Sequence, residues 1–294
     1  MSILDYFRPV TAWSAEEVKA FLREHPEGDY NLVDVRQSRE FDRGHLPGAR
    51  SIPIAELQER LEELEPGKTT IVYCNSGPRG QAAAISLHQA GFGSVIHMTG
   101  GLHAWDGLLA TGRPEIAMTW FFPAHSVEQY IALAWYLEEG TRQFYLGLSG
   151  LIDDEAAAAM FSDMTRAEVN HKSRLRDLYE EFTGEPAGDD FPRQAIELAE
   201  NEESFTEGGI AVRKALEWCS RRPLRDILEL TAGLETNAYD RYLFMRKIAE
   251  GDSARKVFRI LAQAEKQHLD RIVSWLDDLF DPIVPGDRRV GDGS

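Results

Sequence analysis

Cysteine is scarce in this chain of 294 residues, which contains only Cys74 and Cys219. Two distant cysteines exclude a disulfide-stapled scaffold and fit the reducing cytosol, so we expect a cytoplasmic protein. Long apolar runs are missing as well, since no stretch approaches the roughly 20 apolar residues of a membrane helix. Residues 1–10 include Asp5 and Arg8, which do not suit a signal peptide. The sequence therefore predicts no membrane partner.

Basic residues are outnumbered: 32 Lys and Arg stand against 49 Asp and Glu, for a net charge of −17. Nucleic acid is an unsuitable partner for so acidic a chain. The length suggests two domains, each large enough for a hydrophobic core. We place an N-terminal domain at 1–115, a linker at 116–125, a helical domain at 126–282 and a tail at 283–294.

A helical pattern occurs twice in the second half, at an offset of 97 residues. Apolar residues follow the three-then-four spacing of a buried helix face from Ser126 and Phe161, and again from Leu224 and Phe258. Each copy carries one Glu on its first helix and a Glu-x-x-His pair on its second. These six intruding polar residues are Glu138, Glu168, His171, Glu235, Glu265 and His268.

Glutamates on an apolar helix face lose their hydration, which is costly unless a partner replaces the water. No Lys or Arg occupies these faces. Two divalent cations would neutralise four carboxylates, and a Glu from each of two helices plus Glu-x-x-His from the other two is a known ligand set of dinuclear metal bundles. The alternative is an ordinary duplicated hairpin whose polar residues face solvent.

Over Ser126–Phe280 the chain resembles the rubrerythrin and ferritin-like family. The resemblance implies an all-α four-helix bundle with a long crossover, and two iron ions bound by the six residues named above. It also implies that Tyr145 and Tyr242 lie just outside the ligands, although packing aromatics would explain them equally well. Glu139 is an alternative candidate to Glu138 as a metal ligand, but the residue 97 positions after it is Thr236, which is not a glutamate.

The resemblance implies reduction of peroxide or oxygen at the iron pair. Classical rubrerythrins carry a four-cysteine iron site that two cysteines cannot form, so an external electron donor is expected. A carboxylate and imidazole set also suits manganese, and the choice between the metals stays open. A homodimer is suggested by the resemblance alone.

The first half alternates strand and helix patterns, which predicts an α/β domain with a parallel sheet. Strands are expected at Asn31–Val35, Thr69–Tyr73 and Ser94–His97. Helices are expected at Ile54–Leu64 and Gln81–Ala90.

Cys74 directly follows a predicted strand, at the sheet edge where ligands bind in open α/β folds. The loop before the next helix would direct backbone N–H groups inward, as in an anion cradle. A cysteine placed there near Arg79 is a candidate thiolate nucleophile. The alternative is a small buried cysteine in a turn. The candidate binding loop comprises Asn75, Ser76, Gly77, Pro78 and Gly80.

Over Tyr6–Arg113 the chain resembles a rhodanese domain. Four motifs carry the resemblance in order: Leu32–Arg36, Gly44–Ala49, Tyr73–Arg79, and Gly100-Gly101 with Trp105. It implies that Cys74 takes sulfur as a persulfide from a small donor such as thiosulfate or another persulfide, and that Arg79 and the loop amides hold the donor. Four residues separate Cys74 from Arg79, whereas related phosphatases have five, which favours sulfur. Gly80 departs from the family pattern, in which Ser is common.

Together these patterns predict a rhodanese-type sulfurtransferase fused to a di-iron bundle. The alternative is an iron-storage or regulatory protein whose rhodanese half only binds a partner.

Overall fold

The protein is described by a computed structural model. It covers residues 10–114, 126–197, 204–249 and 251–280. The predicted linker at 116–125 and tail at 283–294 lie outside these residues.

The first half is built on a five-stranded parallel sheet, as predicted. Its strand order is β1-β5-β4-β2-β3, and every paired neighbour runs in the same direction. The three predicted strands are confirmed to within one residue at each end. The strands are β1 (Thr11–Trp13), β2 (Tyr30–Asp34), β3 (Arg50–Ser51), β4 (Thr69–Tyr73) and β5 (Val95–Met98).

Three helices pack around this sheet: α1 (Ala15–Glu24), α2 (Ser38–Phe41) and α3 (Pro78–Gln89). The helix predicted at Ile54–Leu64 is wrong, because that segment forms two 3-10 turns, Leu57–Glu59 and Leu61–Glu63. Backbone hydrogen bonds between residues three apart close these short turns.

Helix α3 begins three residues earlier than predicted, at Pro78. Proline suits the first turn of a helix because that position needs no N–H donor. Gly77 precedes it with φ +114°, a conformation that residues with a side chain rarely adopt. The early start places Arg79 and Gly80 in the first turn, next to Cys74, rather than in an open loop.

The second half is helical and repeats itself. Helices α4 (Val127–Leu151) and α5 (Glu155–Thr183) form one hairpin, and α7 (Leu224–Ile248) and α8 (Asp252–Phe280) form another. Each end of the second hairpin lies 97 residues after its counterpart, as 224 − 127, 248 − 151, 252 − 155 and 280 − 183 show. Helix α4 ends at Leu151, and Asp154 caps α5 through its side chain.

The connection between the hairpins contains the short helix α6 (Val212–Cys219). The four long helices share their apolar faces in two neighbouring clusters. Among the described helices, none is long and apolar enough to cross a membrane.

The two halves are joined by a buried contact between the loop after α2 and helix α7. His45 Nε2 lies 3.1 Å from Asp240 Oδ2, and the Gly48 amide donates to Asp240 Oδ1 at 2.7 Å. Asp240 is five residues beyond Glu235 on α7. Helix α7, which carries Glu235, is therefore anchored directly on the α/β half, a contact that the sequence did not predict.

Candidate functional site

The Cys74 loop is a compact turn at the carboxyl end of β4. Cys74 is buried, and the Gly77 amide donates to its Sγ at 3.1 Å. The Leu102 amide donates to the Cys74 carbonyl at 2.9 Å, which ties the loop to the segment after β5. Gly101 approaches so closely that a Cβ there would lie 2.2 Å from that carbonyl oxygen. The loop thus directs the Gly77 amide at the Cys74 sulfur, and its close contact with Gly101 leaves no room for a side chain there.

Arg79 takes part in an ion pair that the sequence analysis did not foresee. Its guanidinium donates to both carboxylate oxygens of Glu40, at 2.8 and 2.9 Å. The Arg79 hydrogen bond lowers the pKa of Glu40 to about 2. The same bond raises the pKa of Arg79, and Cys74 contributes a smaller electrostatic effect. The guanidinium is therefore fixed between α2 and α3, near the sulfur and partly exposed.

The other candidate loop residues divide between surface and interior. Ser76 and Pro78 are exposed and line the outside of the loop, whereas Gly77 and Gly80 are buried. The side-chain Nδ2 of Asn75 lies 2.8 Å from His103 Nε2. His103 was not predicted to contact this loop, because nothing in the sequence links it to Asn75.

All six predicted metal ligands converge between the four long helices. His171 Nδ1 lies 3.3 Å from Glu138 Oε2 and 3.4 Å from Glu168 Oε2. His268 Nδ1 lies 3.1 Å from Glu168 Oε1 and 3.5 Å from Glu235 Oε2. The two imidazole rings stack with centroids 4.9 Å apart. Glu138 rather than Glu139 faces this cluster, since Glu139 is paired outside it with Arg142 and Lys172.

A seventh residue, Glu207, joins the cluster from the connection before α6. The described part of the chain contains three groups whose potential ligand atoms all lie within 4.8 Å of one another: Glu168-His171-His268, Glu235-Glu265-His268 and Glu138-Glu168-Glu207. Thr141 Oγ1 accepts from the Glu207 amide at 3.1 Å, and Arg241 donates to the Glu207 carbonyl at 2.6 Å. Glu207 lies outside the repeated hairpins, so the repeat gave no signal for it.

The two tyrosines hold carboxylates of this cluster. The Tyr145 hydroxyl donates to Glu235, and the Tyr242 hydroxyl donates to Glu207 Oε1 at 2.8 Å. Tyr242 thus touches the non-repeated glutamate, and the two halves of the cluster are chemically unequal.

The cluster leaves polar atoms without hydrogen-bond partners. Buried polar groups in proteins are normally paired, so each exception needs an explanation. Nine such atoms lie among the ligands: Glu138 Oε1, both carboxylate oxygens of Glu168, Glu207 Oε2, Glu235 Oε2, both carboxylate oxygens of Glu265, and both ring nitrogens of His268. Carboxylate oxygens and imidazole nitrogens are ligands for iron and manganese. The residues present therefore fit a pair of such ions.

The pKa values of three glutamates in the cluster also indicate a site for cations. Burial raises the pKa of Glu168, Glu207 and Glu265 well above the ordinary value of a carboxyl group. Neighbouring carboxylates add to the effect, because like charges in a dry site oppose one another's ionisation. Bound cations would reverse both effects and allow the whole cluster to ionise.

Comparison with known proteins places residues 14–108 within a recognised family. The family model described as "Rhodanese-like domain" matches these residues. A sulfurtransferase of Allochromatium vinosum is 35% identical over 77 residues, which are 26% of this chain and 72% of that protein. The putative sulfurtransferase YtwF of Bacillus subtilis is 34% identical over 90 residues, 30% of this chain and 86% of that protein.

Other matches cover only part of the related protein or only part of this chain. The chain spans 42% of the length of the putative sulfur carrier protein YrkF of Bacillus subtilis and 60% of another Bacillus subtilis relative, YqhL. A crystal structure of a rhodanese-like domain protein from Staphylococcus aureus is 25% identical with a TM-score of 0.33, covering 35% of this chain and all of that one.

Proposed function

Because this chain belongs to the rhodanese-like family, we propose that its first half is a sulfurtransferase with Cys74 as the nucleophile. The observation that carries the proposal is the Gly77 amide directed at Cys74 Sγ within a closed loop. An amide in that position stabilises negative charge on a cysteine sulfur or on a sulfur bound to it.

The proposed reaction has two steps. With thiosulfate as donor, the Cys74 thiolate attacks the outer sulfur, the S–S bond of thiosulfate breaks, and sulfite leaves with the bonding electrons. The resulting persulfide then passes its outer sulfur to a nucleophilic acceptor, and the Cys74 thiolate is restored. The partly exposed Arg79 guanidinium supplies positive charge near the anionic donor.

Incubation with thiosulfate followed by mass spectrometry of the intact protein tests this step. The wild type should gain one sulfur atom, which cyanide should remove, and Cys74→Ser should gain none. Cys219→Ser is the matched control, because Cys219 is buried among apolar side chains and burial raises its pKa to about 11. Persulfide formation in Cys74→Ser, or its loss in Cys219→Ser, would disprove the assignment.

For the helical half, we propose a rubrerythrin-like centre on a ferritin-like four-helix bundle. Glu138, Glu168, His171, Glu235, Glu265, His268 and Glu207 would hold two iron ions, with manganese as the other candidate. When bound, an iron pair supplies two electrons for reducing the O–O bond of peroxide or oxygen. Five carboxylates give a charge of −5, which lies between the +4 of a ferrous pair and the +6 of a ferric pair. The residues can therefore tolerate both redox states.

The chain's own groups complete this centre. Tyr145 and Tyr242 donate hydrogen bonds to Glu235 and Glu207, which fixes those carboxylates in place. The apolar clusters of the helices pack around the ligands, which are buried apart from the partly exposed His171. An external electron donor would return the ions to the ferrous state.

The nine unpartnered buried ligand atoms carry this second proposal. Metal analysis and ultraviolet–visible spectra of protein from iron-replete cells test it, together with a peroxide-consumption assay. We expect two ions per chain in the wild type and a large loss of metal in Glu235→Ala, with persulfide formation at Cys74 intact. Metal-free wild-type protein would refute the centre, and bound iron without peroxide turnover would favour storage.

A further inference from the structure

A cavity of about 340 Å³ lies between α5 and α8 and reaches the proposed metal ligands. Glu138 and His171 form part of its lining. The His171 side chain is 13% exposed, whereas the side chains of Glu138, Glu168 and His268 are at most 4% exposed. The cavity therefore joins the cluster to solvent on the side of His171.

Apolar and polar side chains both line the cavity. The apolar lining residues are Leu175, Leu178, Ile260, Leu261 and Ala264, and Gln263 and Gln267 add two neutral polar groups. The rim carries two cations, Arg174 and Lys256, and two anions, Asp177 and Glu181. Lys256 and Glu181 pair with each other at 3.0 Å. The four rim charges cancel, and the five apolar side chains offer a surface to the apolar body of a neutral ligand.

The volume exceeds what hydrogen peroxide or oxygen requires. A water molecule occupies about 30 Å³ of the liquid, so the cavity has room for roughly ten. Pockets of about this size are typical of small organic ligands. A route serving only hydrogen peroxide or oxygen would need no such space.

We propose that this cavity binds organic hydroperoxides, with the apolar substituent against Leu175 and Ile260 and the hydroperoxide group beside Glu138 and His171. The inference rests on the proposed function of the metal centre. Reduction of the hydroperoxide breaks its O–O bond and takes up two electrons, which a ferrous pair held by the proposed ligands would supply. Two protons from solvent complete the products, an alcohol and water.

Steady-state kinetics with cumene hydroperoxide and hydrogen peroxide test the substrate class. The wild type should have the higher kcat/KM for cumene hydroperoxide. Ala264→Leu narrows the cavity, and we expect it to lower the ratio of the two kcat/KM values at least tenfold. Ala167→Leu is the matched control, because Ala167 is the repeat counterpart of Ala264 (264 − 97) and does not line the cavity. If Ala264→Leu fails to fold, Ile260→Phe replaces it.

Binding of cumyl alcohol, the product, to metal-free protein gives a second readout that needs no turnover. Saturation-transfer NMR should detect binding to the wild type and to Ala167→Leu, and weaker binding to Ala264→Leu. Absence of binding to the wild type, or an unchanged kcat/KM ratio in Ala264→Leu, would overturn the inference. Cumyl alcohol binding that Ala264→Leu weakens, in a protein that consumes no peroxide, would support the ligand class and overturn the proposed metal function instead.

Discussion

Replacing Glu168 with Met should change stability in opposite directions with and without metal. Both carboxylate oxygens of Glu168 are buried without hydrogen-bond partners, and Glu138 opposes its ionisation. Glu168 also belongs to two of the three potential ligand groups. Methionine has a similar length and no charge. The metal-free protein should therefore become more stable, while the metal-loaded protein loses a ligand that both ions would use.

The expected size follows from the number of groups involved. An unsatisfied buried polar group costs about 1–3 kcal/mol, so removing the two Glu168 oxygens should stabilise the metal-free protein by about 2–6 kcal/mol. A change of 1 kcal/mol moves Tm by roughly 2–4 °C in a domain of this size, which gives an increase of about 4–24 °C. Two ions, each at a hundredfold excess over Kd, add about 5 kcal/mol to the wild type. We expect Glu168→Met to lose at least half of that increment.

Differential scanning calorimetry of chelator-treated and iron-reconstituted protein at pH 7 measures both effects. The control is Val169→Met, at an adjacent exposed position on the same helix, which should behave as the wild type in both forms. A lower Tm for metal-free Glu168→Met would refute the claim that this carboxylate is destabilising without metal. An equal metal-dependent increase in the variant and the wild type would refute its role as a ligand.

Three further predictions concern the α/β half and its junction with the helices. Gly80→Ser should fold, because a Cβ at Gly80 meets its nearest atom, the Cys74 amide nitrogen, at 3.6 Å. A hydrogen bond of about 1 kcal/mol from the new hydroxyl to the transferred sulfur should raise the sulfurtransferase kcat/KM about fivefold. Lower activity in folded protein would contradict this prediction. Glu40→Gln should be less stable than the wild type at pH 7, and the difference should vanish as the pH falls toward about 2. The reason is that Arg79 lowers the pKa of Glu40, and the ion pair stabilises the fold only while Glu40 is ionised. Urea denaturation at several pH values measures the difference in unfolding free energy, and a difference that does not change with pH would count against the ion pair. Asp240→Ala should cost about 1–3 kcal/mol in the same assay, since it leaves the buried His45 ring and the partly buried Gly48 amide without this partner. An unchanged midpoint would show that the contact is dispensable.

Local patterns predicted much of the fold because they depend on neighbouring residues. The β-branched run Thr69–Tyr73 formed its strand, and the 97-residue repeat carried through to the helix ends. The segment Ile54–Leu64 failed because its apolar spacing permits either an α-helix or 3-10 turns. The start of α3 was missed because Pro78 reads equally as a loop residue and as the first residue of a helix.

By itself, the sequence determined the Cys74 loop and six residues of the acidic cluster, because their spacing places them on one loop and on the inner faces of two equivalent hairpins. Only the tertiary structure decided that Glu40 pairs with Arg79, that Glu207 enters the cluster and that Asp240 joins the halves. These contacts connect residues between 39 and 195 positions apart without any repeated spacing, as for Glu40 with Arg79 and His45 with Asp240. Such pairs depend on how the helices and strands pack against one another, and helical or strand periodicity does not predict that packing.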